Sequence, residues 1–357
     1  MPDLFDKLIT LPNLEAAFQR VQANAGCRGS DGVTIARFGA NLEGNLRELS
    51  KSLEKGEYHP YPLLRFSVPK RSASEKLEVR SEKSEVRSEK RDLPLRTSHL
   101  SPATSHFSLA TSNVRFLSVP TVRDRVAQTA AFLVTKDLFE AEFEDISHAY
   151  REGRGVKTAV WDIKEWRDKG YRFAVDADID DYFDSVPHGI LLEKLGKLIQ
   201  EPAMLRLFEK WIKAEIYDGQ KIWTPGKGIP QGSVVSPPLA NLLLDELDET
   251  LISFKMKLVR YADDFLILTK TEKAAQDAIE LTDMMLEDLQ LDLNPLKTKI
   301  GSFDKGFKFL GAIFLYDGIF TTFPQKRVKG EPPRLPEPLT LKRYLELRNK
   351  SEVRSEK

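Results

Sequence analysis

Apolar residues recur along this chain with two different periods, and the points where the period changes outline its elements. Leu14, Ala17, Phe18 and Val21 keep helical spacing, as do Leu42, Leu46, Leu49 and Leu53. Between them Gly26-Cys27-Arg28-Gly29-Ser30-Asp31-Gly32 is a turn cluster, so 13–50 reads as helix, loop, helix. LLRFSVPK (63–70) and VRFLSV (114–119) read as strands, and 121–165 is mainly helical. YRFAVDAD (171–178) predicts a strand with Tyr171, Phe173 and Val175 inward. Helices are expected over 189–215, interrupted near Glu201-Pro202, and again after Ser236, a natural N-cap. KLVRYADDFLILT (257–269) predicts a β-hairpin turning at Ala262-Asp263-Asp264. Ala275, Ala278, Ile279, Thr282, Met285, Leu286 and Leu289 share one helical face, and FKFLGAIF (307–314) is a last strand or hairpin. Strand, helix, paired strands, helix, strand is the split βαβ order of an α+β fold.

From Ser72 to about Ser112 the periodicity fails. LEVRSEK (77–83) runs directly into SEVRSEK (84–90), and SEVRSEK returns at 351–357. Each unit offers Val and at most one Leu, too few apolar positions for a coiled-coil seam. Solvated disorder is the expectation, with an expanded repeat read in frame as its origin and an early end to the reading frame.

The 357 residues, 41% hydrophobic and 30% charged, allow a sizeable core and two lobes. No apolar run approaches the ~18 residues of a membrane span, and MPDLFDKLITLPNLEAAF lacks the layout of a signal peptide. No membrane partner is expected. The single cysteine, Cys27, excludes an internal disulfide and a cysteine metal site, and suits a reducing cytoplasm. Net charge is zero, without the basic excess usual for phosphate binding. The charge is unevenly placed, however. Carboxylates cluster at 176–184 and 245–249, whereas Arg115, Arg123, Arg125, Arg151, Arg154 and Lys157 lie upstream.

Three segments carry candidate chemistry. Tyr261-Ala262-Asp263-Asp264 places adjacent aspartates on an apolar hairpin, where like charges raise each other's pKa. A divalent cation resolves that conflict through hard oxygen ligands; a plain Asp-rich β-turn accounts for the tetrapeptide equally well. Asp176-Ala177-Asp178-Ile179-Asp180-Asp181 again delivers acids at the end of an apolar strand, with a solvated acidic loop as the plainer reading. If the two strands are neighbours, Asp178 and Asp263 face one another and grip two ions about 3.5–4 Å apart, which suits in-line phosphoryl transfer. Gly228-Ile229-Pro230-Gln231-Gly232-Ser233 is a rigid turn that lets backbone approach a ligand, or an ordinary loop.

In order along the chain, LEAAFQRVQANAGCRGSDGVTI, RFSVPK, VRFLSVPTVRDRVAQ, ISHAYREGRGVKTA, VDADIDDYFDSVPH, GIPQGSVVSPPLANLLLDELD, VRYADDFLIL, LDLNPLKTKI and FKFLGAIF resemble the blocks of reverse transcriptases of the bacterial group II intron-like class. The resemblance implies a polymerase right-hand fold. Its regions are an N-terminal extension and mainly helical fingers over 1–165, interrupted by 72–112, then a ferredoxin-like catalytic palm over 166–320. Beyond it, 321–357 is expected to be linker and truncated tail, with the thumb short or absent. It further implies that Asp178 and Asp263 bridge two Mg²⁺ ions, with Mn²⁺ as a substitute, that Asp264 is an accessory acid, and that Ile179 ligates through its carbonyl. Phe183 matches the steric gate against a ribose 2′-hydroxyl, Gln231 a nucleotide or template contact, Lys70 and Arg115 the triphosphate contacts of the fingers, and Lys297 a lysine that protonates pyrophosphate. The implied partners are an RNA template, a DNA or RNA primer and dNTPs. HAYREGRGV, VDADIDDYFDSV and FDKGFKFLGAIF are similar to CRISPR-associated members, which implies adaptation integrase proteins as further partners. The competing expectation is a non-catalytic RNA-binding or adaptor remnant; the intact Asp178, Gln231, Asp263 and Asp264 speak against it.

Overall fold

The computed structural model describes residues 3–69, 114–321 and 335–355. The repeat-rich segment 72–112 and Lys70 therefore lie outside the described residues. Two compact units form, one from residues up to Phe66 together with those from Leu117 onward, the other from Ser67–Phe116.

The N-terminal part of the first unit is helical: α1 (Leu4–Leu8), α2 (Leu11–Ala23), α3 (Ile35–Gly39) and α4 (Leu42–Glu54). The stripes at Leu14, Ala17, Phe18, Val21 and at Leu46, Leu49, Leu53 are buried, as their spacing requires. Strands β1 (Leu63–Pro69) and β2 (Val114–Val119) come next, and α5 (Val122–Glu142) follows, with α2 packed along it. Next come α6 (Val156–Asp168), β3 (Phe173–Asp178), α7 (Tyr182–Ser185), α8 (His188–Leu198) and α9 (Pro202–Ile212). Strand β1 pairs in parallel with β4 (Ile216–Tyr217), which pairs with β5 (Ile222–Trp223). Helix α10 (Ser236–Ser253) leads into the hairpin β6 (Lys257–Tyr261) and β7 (Asp264–Thr269), then α11 (Glu272–Asp288) and β8 (Lys299–Ser302).

The expected split βαβ is present. The four strands lie in the order β6-β7-β3-β8, all antiparallel. Strand β3 departs from simple alternation. Val175 and Ala177 face the core that contains the buried residues of α10 and α11, while Ala174 is buried against Ala159 and Ile163 of α6 and against Phe303, Phe307 and Phe314. A central strand covered on both faces is apolar on both faces. The aromatic layer comes from β9 (Phe307–Phe309) and β10 (Ala312–Phe314), joined by β11 (Ile319–Thr321).

Three further expectations change. Val235, not Ser236, precedes α10; Ser236 is its first helical residue, and its buried hydroxyl makes no hydrogen bond. The arginines upstream are largely committed to the protein itself. Arg123 lies over the Tyr58 and Tyr61 rings, Arg125 donates to the Cys27 carbonyl, Arg151 grips Glu140, and Arg154 pairs with Asp145. In the stretch expected as linker, residues 335–340 and α12 (Leu341–Ser355) are docked. The Leu339 N–H donates to the Ser30 carbonyl (2.7 Å), Arg28 to the Pro336 carbonyl (2.6 Å), and the Tyr344 hydroxyl to Glu215 (2.9 Å).

Burial of polar groups joins the helices to β1. The Tyr58 hydroxyl donates to Asp124 (2.8 Å) and accepts from the Trp211 indole N–H (2.9 Å), while Thr121 and the Tyr61 N–H supply the other Asp124 oxygen. Replacing Tyr58→Phe strands a buried indole donor, which costs about 1–3 kcal/mol. The urea midpoint should fall with an unchanged slope; an unchanged midpoint would show the network contributes nothing.

Candidate active site

Register decides which carboxylates meet. Strand β3 pairs with β7 from Phe173↔Thr269 to Asp178↔Asp264, so Asp264 stands directly across from Asp178. Asp263 occupies the hairpin turn beside Ala262, whose φ of 61° bends the chain through the left-handed region. The meeting expected between Asp178 and Asp263 is thus a meeting of three acids, with Asp264 the cross-strand partner.

Electrostatics follow from that crowding. Although the Asp264 residue is exposed overall, burial of its carboxyl, then the charges of Asp263, Asp178 and Asp176, push it up to about 7. Burial and the Asp178 charge raise Asp263 as well. Lys297 enters from the loop before β8, its Nζ 2.6 Å from Asp178 Oδ2. Burial would lower this ammonium, but the Asp178 hydrogen bond and the surrounding carboxylates outweigh it and raise its pKa. One step down β3, Lys299 lies 3.3 Å from Asp176. That loop is pinned to β3 by backbone bonds from Asn294 N–H to the Asp178 carbonyl (2.8 Å) and from Asp180 N–H to the Asp292 carbonyl (2.9 Å). Neither bond uses the Ile179 carbonyl.

The Gly-Ile-Pro-Gln-Gly turn is brought to the same place. Ile229 N–H donates to the Phe183 carbonyl, Gly228 N–H to the Val186 carbonyl, each at 2.7 Å, and His188 Nε2 lies 2.7 Å from the Gly228 carbonyl. Gly228 has φ +90°, and a Cβ there would stand 2.8 Å from the Asp184 carbonyl oxygen, so only glycine fits. On the other side Ser118 N–H donates to the Gln231 carbonyl (2.7 Å), and Gln128 Oε1 accepts from Ser233 and from Val234 N–H. Phe183 is partly buried, edge-on to Tyr182. Phe183 and Gln231 thus flank the segment that follows Asp178. Of the remaining candidates, Lys70 is not among the described residues, and Arg115 is an exposed residue of the second unit.

Beneath the hairpin lies a group that the sequence reading missed. Arg260, with no exposed surface, donates to Asp248 (2.8 and 2.9 Å from Nε), to Asn241 (2.9 Å) and to the Ala262 carbonyl (3.2 Å). Burial alone would lower its pKa; the Asp248 charge reverses this and keeps it cationic. A signal was available, since an arginine inside the apolar strand KLVRY requires a buried acid, and Asp248 sits in the cluster 245–249.

Among the described residues no three His, Cys, Asp or Glu side chains converge closely enough to hold a metal ion as they stand. The donor chemistry nevertheless fits a hard divalent cation. Burial and the charges of neighbouring carboxylates raise Asp263 and Asp264, and the Lys297 ammonium lies 2.6 Å from Asp178. Asp178, Asp263 and Asp264 are the residues that would hold it.

Residues 101–314 match the family described as reverse transcriptase (RNA-dependent DNA polymerase). The chain is 28% identical over 347 residues to protein YkfC of Escherichia coli (strain K12), a match covering 85% of this chain and 81% of that protein. It is 27% identical over 244 residues to the group II intron-encoded protein LtrA of Lactococcus lactis subsp. cremoris, covering 68% of this chain and 34% of LtrA. The chain thus spans about a third of that relative's length. Among solved structures, a Cas6-RT-Cas1–Cas2 complex is similar with a TM-score of 0.44 and 22% identity, over 80% of this chain and 27% of that one. Telomerase from Candida tropicalis is similar with a TM-score of 0.48 and 11% identity, over 61% of this chain and 44% of that one.

Asp264 holds its proton more tightly folded than unfolded. Between its ordinary 3.8 and about 7 the folded state therefore binds more protons, and stability falls as pH rises. Asp245, raised to about 7 by burial and the charges of Asp248 and Glu249, adds to the same slope. In EDTA, Asp264→Asn should make the fall in urea midpoint from pH 5 to 7.5 shallower without abolishing it. An identical fall in both proteins would refute the crowding.

Proposed function

The chain belongs to the reverse transcriptase (RNA-dependent DNA polymerase) family, in its group II intron-like class, and from that premise we propose that Asp178, Asp263 and Asp264 catalyse RNA-templated addition of deoxynucleotides to a primer 3′-hydroxyl. The observation that supports this most is the β3–β7 register, which gathers the three carboxylates where β3 ends and β7 begins and sets Lys297 on Asp178.

Two divalent cations, Mg²⁺ or Mn²⁺ in its place, would supply activation of the 3′-hydroxyl and charge neutralisation at the phosphates when bound. Asp178 and Asp263 would hold both, with Asp264 and the Ile179 carbonyl completing the set. Lys297 is exposed, cationic and already within hydrogen-bond reach of Asp178, so it suits delivery of a proton to departing pyrophosphate. Phe183, anchored through its carbonyl to Ile229, bars a ribose 2′-hydroxyl from the nucleotide site, and Gln231 on the same turn contacts the nucleotide or template. Lys70 and Arg115 are proposed to meet the triphosphate, where a guanidinium fork matches phosphate oxygens. The RNA template would be held through its backbone and 2′-hydroxyls. No helix among the described residues is long and apolar enough to cross a membrane. A cytoplasmic setting accords with the lone Cys27, and a CRISPR adaptation integrase is the proposed protein partner, from the likeness of HAYREGRGV and FDKGFKFLGAIF.

Purified protein with Mg²⁺, poly-rA, oligo-dT and dTTP should extend the primer. Asp263→Asn should lose at least about a hundredfold in rate, with thermal stability equal or higher because carboxylate repulsion is relieved. RNA binding without any extension by the wild-type protein would favour the non-catalytic remnant instead. Phe183→Ala should admit ribonucleotides, read as rNTP against dNTP incorporation; unchanged selectivity would remove its gating role.

A further inference from the structure

Residues 146–149 run beside β6 and are fixed at every step. Arg260 N–H donates to the Ile146 carbonyl, His148 N–H to the Arg260 carbonyl, and Asn241 Nδ2 to the Ala149 carbonyl, each at 2.9 Å. Ser147 bridges Arg260 in parallel sense, so the chain advances with β6 toward the Ala262-Asp263 turn. Tyr150 comes next. Ser147, His148, Ala149 and Arg151 around it are all buried, yet Tyr150 is 54% exposed. Its φ of +62° is left-handed, a costly conformation for a bulky residue. Arg151, locked by Glu140 and by the Phe143 and Ser147 carbonyls, keeps the backbone from relaxing. The charges of Asp263, Tyr261 and Asp264 act on the phenol, which puts the ring in the field of the catalytic carboxylates.

The exposed ring also walls a cavity of about 380 Å³. Phe143 and Pro238 give it apolar sides, and Arg20 and Lys136 give it positive charge. Its lining charges balance, Arg20, Lys136 and Arg151 against Asp137, Glu140 and Glu152, with Glu140 paired to Arg151 and Glu152 3.9 Å from Lys136. Apolar walls with cations suit a nucleic-acid sugar and its phosphate.

We propose that Tyr150 is a nucleic-acid-binding residue of the polymerase centre, its ring packing against the sugar of the terminal primer–template pair and guiding that strand into the adjoining groove. This rests on the polymerase reading and adds to it a contact on the β6 side of the hairpin. A strained tyrosine, 54% exposed, stands in the field of the carboxylates, and a duplex end is what the carboxylates require at that position.

The test uses the full chain and a fluorescein-labelled rA/dT primer–template duplex, with affinity read by anisotropy. Tyr150→Asn and Tyr150→Gly accept a left-handed backbone, so both should melt at or above the wild-type temperature. Both should bind the duplex at least about fivefold more weakly, whereas Tyr150→Phe stays within about twofold. Wild-type affinity in the Asn and Gly variants overturns the proposal, and does so even if primer extension succeeds. Tyr150-dependent binding in a wild-type protein that extends nothing would uphold the contact and sink the polymerase reading alone.

Discussion

Arg260 has no surface in contact with solvent, and neither does the Asp248 side chain that neutralises it. Breaking such a pair from one side leaves a buried charge, at a cost of roughly 3–5 kcal/mol, so the hairpin cannot shift without losing it. The guanidinium also binds Asn241 and the carbonyl of Ala262, the left-handed residue of the turn. Asn241 in turn holds the Ala149 carbonyl, and the neighbouring Ala240 carbonyl accepts from Tyr182. One stretch of α10 therefore ties together the hairpin bearing Asp263, the segment leading to Tyr150 and the helix following Asp178. A buried ion pair is a poor source of net stability, but it is a strict specifier of geometry, and geometry is what a carboxylate cluster demands.

The cluster itself works against folding. Burial and neighbouring carboxylate charge raise the pKa of Asp263 and Asp264, which Lys297 offsets only in part, while Lys299 pairs with Asp176. The sheet tolerates the repulsion because both its faces are covered, by α10 and α11 on one side and by α6 with the phenylalanine layer of β9 and β10 on the other. Apolar burial over two layers supplies far more than a few unfavourable charge contacts remove. The strain is thus local and chemical in kind, and the surroundings are rigid enough to keep it.

The same division runs through the glycine turn. Gly228 and Gly232 let backbone pass close to Asp184 and Ser118, which seats the turn bearing Gln231 against the segment that carries Phe183. The basic residues clustered upstream in sequence, by contrast, are mostly consumed within the fold, by Asp124, Glu140, Asp145 and backbone carbonyls. Net charge and its placement in sequence say little about which cations remain available once a chain has folded.

Much of the palm was legible from periodicity. The helix stripes, the strand at 173–178, the hairpin at 257–269 and the acids at their ends follow from local patterns of apolar and polar residues, which depend on neighbours within one turn or one strand. The chain by itself also set the identity of the carboxylates and of the glycines, because chemistry and left-handed backbone restrict residue type directly. Three matters depended on tertiary structure. Register placed Asp264, not Asp263, across from Asp178; packing on both faces replaced the expected alternation in β3; and Arg260 found Asp248 across a helix–strand boundary. Each is a relation between segments distant in sequence, fixed by how layers stack and pair, and no local pattern encodes the partner of a buried charge.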